Sequence, residues 1–124
     1  MTRAVVAPAG PPFFRYHVIG MERQPQVEAG VPVASAVDDD GEVRARTLPA
    51  GRFAVLTHTG APDTLAAATA ELLDWAQARG LSWDVSRTAA GEQWGCRVES
   101  YLTDPAQQPD ASKWQTGLAC RLGD

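Results

Sequence analysis

The sequence predicts an α+β domain in which one helix packs on one face of a mostly antiparallel sheet. Three observations lead to this prediction. Several short segments alternate apolar and polar residues, as half-buried strands do. Proline, glycine and aspartate separate those segments at short intervals. One stretch instead repeats apolar residues every three or four positions, which is typical of an amphipathic helix. With 124 residues, the chain fits a single domain, 1–124, with one core.

The chain is predicted to enter the sheet after a loop. Residues 1–12 end in a proline- and glycine-rich run, which prevents regular structure. Residues 13–19 are aromatic and β-branched and lie between a proline and a glycine, as strands do. Alternation within this strand places Phe14, Tyr16 and Val18 on one face. We therefore expect the first strand to present aromatic rings to one side of the sheet.

Further strands are predicted before the middle of the chain. Valines at period two indicate a strand within 27–37, which Pro32 confines to an edge or a bulge. An aspartate-rich turn at 38–41 leads to a short strand over 43–48. After a Pro-Ala-Gly turn, residues 53–59 alternate as another strand.

The helix follows this strand. Leu65, Ala68, Leu72 and Trp75 recur at intervals of three and four, proline and aspartate precede them, and Gly80 follows the last turn. This apolar stripe predicts packing on the sheet, with Trp75 as a core residue rather than a ligand contact.

Two strands are predicted in the last third of the chain, over 93–102 and 116–122, with an irregular loop over 104–113 between them. Residues of the final strand complete the predicted core: Leu118, Cys120 and Leu122.

Composition excludes several classes of function. The net charge of −4 and the single lysine argue against an electrostatic contact with nucleic acid. No apolar run approaches the roughly 20 residues of a membrane span, and the start lacks a signal-peptide pattern, so we expect a cytoplasmic protein. Cys96 and Cys120 are too far apart for a metal-binding pair, and His17 and His58 are isolated. We expect reduced, buried cysteines, no metal and no cofactor.

The strand that ends at Tyr101 carries the residues most suggestive of chemistry. Alternation places Arg97, Glu99 and Tyr101 on one face, while Cys96 and Val98 point to the other face and can join a core. On spacing alone, a solvated outer face with an Arg/Glu pair is the favoured interpretation, and a chemical site is the alternative.

Three blocks of the sequence resemble the gyrase-inhibitor-like (GyrI-like) effector-binding family. Gly30-Val31-Pro32-Val33, the stretch 48–55 and the stretch 99–105 match in order and spacing, and the likeness runs from about residue 11 to residue 124. The resemblance implies a duplicated βαββ fold whose two helices line a groove with a carboxylate near its floor. The chain resembles a stand-alone member that lacks the N-terminal strand and most of the first helix.

The resemblance implies a site. Glu99 matches the carboxylate of the groove and Tyr101 matches a pocket tyrosine, which makes the chemical interpretation of this face the preferred one. The aromatic residues that can form walls are Tyr16, Phe53, Trp83, Trp94 and Trp114. For each tryptophan, core packing is an equal alternative.

Three functions follow from the resemblance. Many members resemble ligand sensors, so we expect binding of hydrophobic, polycyclic or cationic aromatic molecules. Some stand-alone members resemble hydrolases that open the cyclopropane ring of DNA-alkylating toxins, and here Glu99 would act as acid or base and Tyr101 as hydrogen-bond donor. An inhibitory protein partner ranks last, because the net charge of −4 is too small to mimic DNA.

The absent first helix also predicts an oligomer. A groove built between two helices loses one wall and exposes apolar sheet when one helix is missing. Either the chain is truncated or it pairs with another copy, and we expect a homodimer in which a second copy shares or covers the bare face.

Overall fold

The computed structural model describes residues 9–20, 26–34 and 44–123. Their elements are β1 (Phe13–Ile19), β2 (Gln26–Gly30), β3 (Phe53–Thr59), α1 (Leu65–Ala78), β4 (Val85–Thr88), β5 (Gly91–Trp94), β6 (Arg97–Tyr101) and β7 (Gln115–Arg121). Short 3-10 turns at Pro62–Thr64 and Ala111–Lys113 precede α1 and β7. Within the described ranges, no helix has the length and apolarity of a membrane span.

The strands form one sheet in the order β3-β7-β6-β1-β5-β4, and β2 pairs with β1. Every strand pairing is antiparallel. Within the described residues the sheet therefore has seven strands, and the predicted α+β class is confirmed. The predicted bounds of β1 and β3 are also confirmed.

The core lies between α1 and the half of the sheet that contains β3 and β7. Its buried residues come from the helix, from both of these strands, from β5 and from the residue that follows β7. The members are Ala54, Ala68, Leu72, Trp94, Leu118, Cys120 and Leu122. The predicted contribution of the final strand is thus confirmed. Cys96 and Cys120 are free and buried, as expected.

Proline limits the second predicted strand, and the third does not form in the part of it that the structure describes. β2 ends at Gly30, and beyond it Val33 forms only an isolated bridge. Pro32 explains this end, because proline has no N–H to donate to a ladder. Residues 44–48 have no regular structure, so the short strand predicted over 43–48 is wrong there. The loop over 1–8, the end of the strand predicted to 37, and the turn at 38–41 lie outside the described residues.

The single strand predicted over 93–102 is wrong, because two strands with a break at Gly95 occupy this stretch. Gly95 fits tightly against the carboxylate of Asp84, where a Cβ atom would collide, and its N–H donates to the Asp84 carbonyl at 2.9 Å. The missed strand, β4, forms a hairpin with β5. Gly91 closes that hairpin with a φ of +131°, a region that favours glycine.

The prediction that Trp75 is a core residue is wrong. The buried residues of α1 are Ala68, Leu72 and Ala76, whereas Trp75 is 44% exposed. Its ring lies on the flank of the helix, where the Arg79 guanidinium stacks over it at 4.3 Å. The helix ends as predicted, since Gly80 follows with a left-handed φ of +69°.

Candidate functional site

Strand register places Glu99 on the side of the sheet that carries α1. Glu99 is opposite Leu118 of β7 and opposite Phe14 of β1. Leu118 lies in the core beneath α1. Because side chains directly opposite each other share a face, Glu99, Tyr101 and Arg97 lie on this same side. They do not form an outer surface remote from the helix.

Beyond α1, part of this side of the sheet stays uncovered by any described helix. We call it the open face, and it consists of Phe14, Tyr16, Val27, Glu99 and Tyr101. Tyr16 is opposite Val27 of β2, which aligns these two side chains. Phe14 and Val27 are 41% and 40% exposed. The open face thus presents apolar and aromatic surface around one carboxylate.

A hydrogen bond joins the two central residues of the open face. The Tyr101 hydroxyl donates to Glu99 Oε1 at 2.8 Å. The Phe14 ring packs edge-on against the Tyr101 ring, with the centroids 5.5 Å apart and the planes at 81°. Edge-to-face packing of this kind fixes the orientation of both rings. The carboxylate therefore sits beside an ordered aromatic pair.

Both phenols of the open face remain protonated well above neutral pH. Burial raises the pKa of Tyr101 far above its ordinary value of 10.0, and its hydrogen bond to the Glu99 carboxylate adds to the rise. Burial and the charge of Glu99 also raise the pKa of Tyr16, while the charge of Arg97 opposes the rise. Tyr16 and Tyr101 are therefore neutral hydrogen-bond donors.

A depression runs between α1 and the open face. Tyr16, Arg97 and Glu99 line it from the sheet, and Thr69 and Leu72 line it from the helix. Its volume is about 10 Å³, which is room for about one water molecule and far below the roughly 300–1,000 Å³ of typical ligand pockets. A polycyclic molecule would therefore lie on the open face, with at most a small polar group directed at the mouth of the depression.

Sequence comparison identifies the family to which this arrangement belongs. The family model described as the GyrI-like small molecule binding domain matches residues 13–116, most of the chain. The chain belongs to this family. No curated protein matches the chain.

Structural comparison supports the same fold for this GyrI-like domain. The structure titled "Cryo-EM structure of EcmrR-DNA complex in EcmrR-RPo" aligns with a TM-score of 0.71 at 18% sequence identity. The alignment covers 96% of this chain and 42% of that chain. The GyrI-like domain thus spans less than half the length of that protein, and the likeness shows the fold alone.

The structure brings Tyr16, Glu99 and Tyr101 together and places the other predicted wall residues elsewhere. Trp94 is 5% exposed in the core, and Trp83 packs against it with the ring centroids 5.9 Å apart. Trp114 donates its indole N–H to the Gln108 carbonyl at 2.6 Å, which ties the ring to its own loop. Phe53 neighbours Ala54, which faces the core, so alternation points Phe53 to the opposite side of the sheet.

Two contributors to the site, Phe14 and Arg97, were not among the residues selected from the sequence. Both share a period-two face with selected residues, Phe14 with Tyr16 and Arg97 with Glu99. That alternation was the signal that could have identified them. Among the described residues, no cluster of three or more His, Cys, Asp or Glu could hold a metal ion.

Proposed function

We propose that this GyrI-like domain binds hydrophobic, polycyclic or cationic aromatic molecules on its open face. The observation that carries the proposal is the Glu99–Tyr101 hydrogen bond of 2.8 Å beside exposed aromatic surface. Phe14 and Tyr16 offer ring faces for stacking, which contributes about 0.5–1.5 kcal/mol per aromatic pair beyond buried area. An ammonium on the ligand gains roughly 0.5–2 kcal/mol over such a face.

Glu99 is the polar anchor in this proposal. An ionised carboxylate has about four acceptor positions, so Glu99 can accept from Tyr101 and from a ligand N–H together. Tyr101 remains a neutral phenol because burial raises its pKa. It therefore holds the carboxylate in place without adding a second negative charge.

The test is a binding isotherm with a cationic dye, the ethyl ester of rhodamine B, followed by fluorescence anisotropy. Glu99→Gln keeps the shape of the side chain and removes its charge. With a half-buried carboxylate, we expect a loss of about 1–2 kcal/mol, or about 5- to 30-fold in Kd. Glu71→Gln is the matched control, because Glu71 lies on α1 beside Trp75 and outside the open face. Equal affinity for all three proteins would contradict the proposal.

Hydrolysis of cyclopropanoid DNA-alkylating toxins is a second candidate, favoured by the contact between a carboxylate and a neutral phenol. Glu99 would take a proton from water as the water oxygen attacks the cyclopropane carbon. The broken C–C bond would deliver its electron pair into the conjugated system, whose carbonyl oxygen becomes a phenolate that accepts the Tyr101 O–H in place of Glu99. The proton that Glu99 took from water would then pass to the phenolate, which gives the phenol and restores the carboxylate. Water is the only co-reactant.

Mass spectrometry distinguishes these two candidates. A hydrolase forms a product equal in mass to the toxin plus one water over many turnovers, and Glu99→Gln abolishes this product while the toxin still binds. Binding to the wild-type protein without such a product would rule out hydrolysis and leave binding alone.

We also propose a homodimer in which a second copy shares the open face. Phe14 and Val27 support it, because both are large apolar residues about two-fifths exposed on that face. A second copy would add a wall to the shallow depression beside Glu99. Light scattering tests this state, and a well-folded monomer at all concentrations would contradict it.

The proposed setting is the cytoplasm, with a small molecule as the direct partner and no direct contact with nucleic acid. The net charge of −4 argues against direct contact with nucleic acid, since such contact relies on clustered basic residues. A gel-shift assay with random duplex DNA checks it, and a shift at physiological salt would contradict it.

A further inference from the structure

Arg97 lies beside Glu99 in the depression and is held there by a core residue. Its guanidinium carbon is 4.8 Å from the centroid of the Trp94 ring. Trp94 is 5% exposed and packs against Trp83, so the ring is a fixed platform. Stacking on an aromatic face orients a guanidinium without using its N–H donors.

Those donors have no partner among the residues that the structure describes. Other arginines use theirs: Arg121 binds Asp84 at 2.9 Å, and Arg15 donates to the Gly95 carbonyl at 2.9 Å. For Arg97, the described part of the chain supplies neither a hydrogen bond nor a carboxylate within 4.0 Å. A positioned guanidinium with unused donors can accept a planar oxyanion or a carbonyl.

The charge of Arg97 acts inside the depression. It opposes the rise in the pKa of Tyr16 that burial and Glu99 produce. Burial raises the pKa of Cys120 to about 11, and the charge of Arg97 opposes this rise as well. Both residues line the depression with Arg97. A ligand group at the mouth of this depression therefore meets a positive charge as well as the negative charge of Glu99.

We propose that Arg97 and Glu99 act as a dipolar pair that selects zwitterionic aromatic ligands over simple cations. The inference rests on the proposed binding function and names its ligand class. Residues two apart on a strand are about 7 Å apart. The preferred ligand thus carries a carboxylate or an ionised acceptor for Arg97 and a cationic or N–H group for Glu99, on one aromatic frame. A ligand with only a cation gains from Glu99 and is repelled by Arg97.

The test compares rhodamine B with its ethyl ester, which share one chromophore. Rhodamine B carries a xanthylium cation and a free carboxylate, whereas esterification leaves the cation alone. We expect wild-type protein to bind rhodamine B about tenfold more tightly than the ester, the effect of one charge-assisted hydrogen bond. Arg97→Gln should remove this preference, because it should lower the affinity for rhodamine B and raise the affinity for the ester.

Two further variants control the experiment. Arg87→Gln removes the same charge from the exposed strand β4 and should leave the preference unchanged. Arg97→Lys keeps a positive charge but loses the planar, stacked donors, so it should retain only part of the preference. It also provides a conservative test if Arg97→Gln fails to fold.

Each outcome has a separate meaning. Equal wild-type affinity for both dyes, with both weakened by Glu99→Gln, would overturn the dipolar pair and leave the proposed binding function standing. A preference that survives in Arg97→Gln would also overturn the role of Arg97. Failure of both dyes to bind wild-type protein would contradict the proposed binding function itself and the dipolar pair with it.

Discussion

The stability of the domain should fall above pH 10 because of the two phenols of the open face. Burial and Glu99 raise the pKa of Tyr16 and of Tyr101 above the ordinary value of 10.0. In the unfolded chain both phenols ionise near pH 10. The folded protein therefore retains protons that the unfolded chain releases. This stabilisation is fully present below pH 10 and is lost as the pH rises through the folded pKa values.

The magnitude follows from proton linkage. A phenol that stays protonated only in the folded state lowers the free energy of unfolding by at most about 1.4 kcal/mol per pH unit. Both phenols are partly exposed, so solvent screening reduces this limit. We expect removal of one phenol by Tyr101→Phe to make the decline shallower by about 0.5–1 kcal/mol per pH unit. Cys120 contributes in the same direction to both proteins, since burial raises its pKa to about 11.

The assay is urea unfolding of wild type and Tyr101→Phe between about pH 9 and about pH 11. Tyrosinate absorbance provides an independent check, because the chain contains only two tyrosines and both lie in the site. In the folded wild-type protein, both phenols should ionise at a higher pH than free tyrosine does. Parallel declines in the two proteins, or ionisation near pH 10 in folded wild type, would refute the reasoning.

Three further predictions concern the fold. Leu72→Ala should lower the free energy of unfolding by about 2–5 kcal/mol, whereas Trp75→Ala should lower it much less, because Leu72 is 4% exposed and Trp75 is 44% exposed. Equal losses in urea titrations would argue against the placement of α1. Gly91→Ala should destabilise the domain more than Gly80→Ala in the same assay. Both glycines have a positive φ, but a Cβ atom would collide with neighbouring backbone at Gly91 and would meet nothing at Gly80. The reverse order would contradict the β4–β5 hairpin. Cys120 should resist thiol reagents at neutral pH until urea unfolds the chain, because it is 2% exposed; rapid reaction in the folded protein would contradict the described core.

Local sequence signals predicted much of the fold. Aromatic and β-branched residues between turn formers indicated β1 and β3 with their observed bounds. Spacing and Gly80 indicated α1. The break at Gly95 was missed because it depends on Asp84, a residue more distant in the sequence that approaches it only in the folded chain. Trp75 was misplaced because spacing shows that a helix has an apolar stripe but not which edge of that stripe the sheet covers.

The candidate site could be predicted in part for the same reason. Period two placed Glu99 and Tyr101 side by side, and the family resemblance selected them from other polar pairs. Strand register then decided which side of the sheet they occupy, and register depends on pairings between distant segments. The same pairings bring Phe14 to Tyr101, whereas Phe53 is directed to the other side. A single sequence does not contain those pairings.

The central claim, that small molecules bind on the open face, is tested most directly by fluorine NMR of protein labelled with fluorotyrosine. The two tyrosines give two resonances, assigned with Tyr101→Phe, and both report on this face alone. Titration with rhodamine B should shift both resonances until they saturate at the Kd measured by fluorescence. If the dye binds and neither resonance moves, the ligand occupies another surface and the claim is wrong.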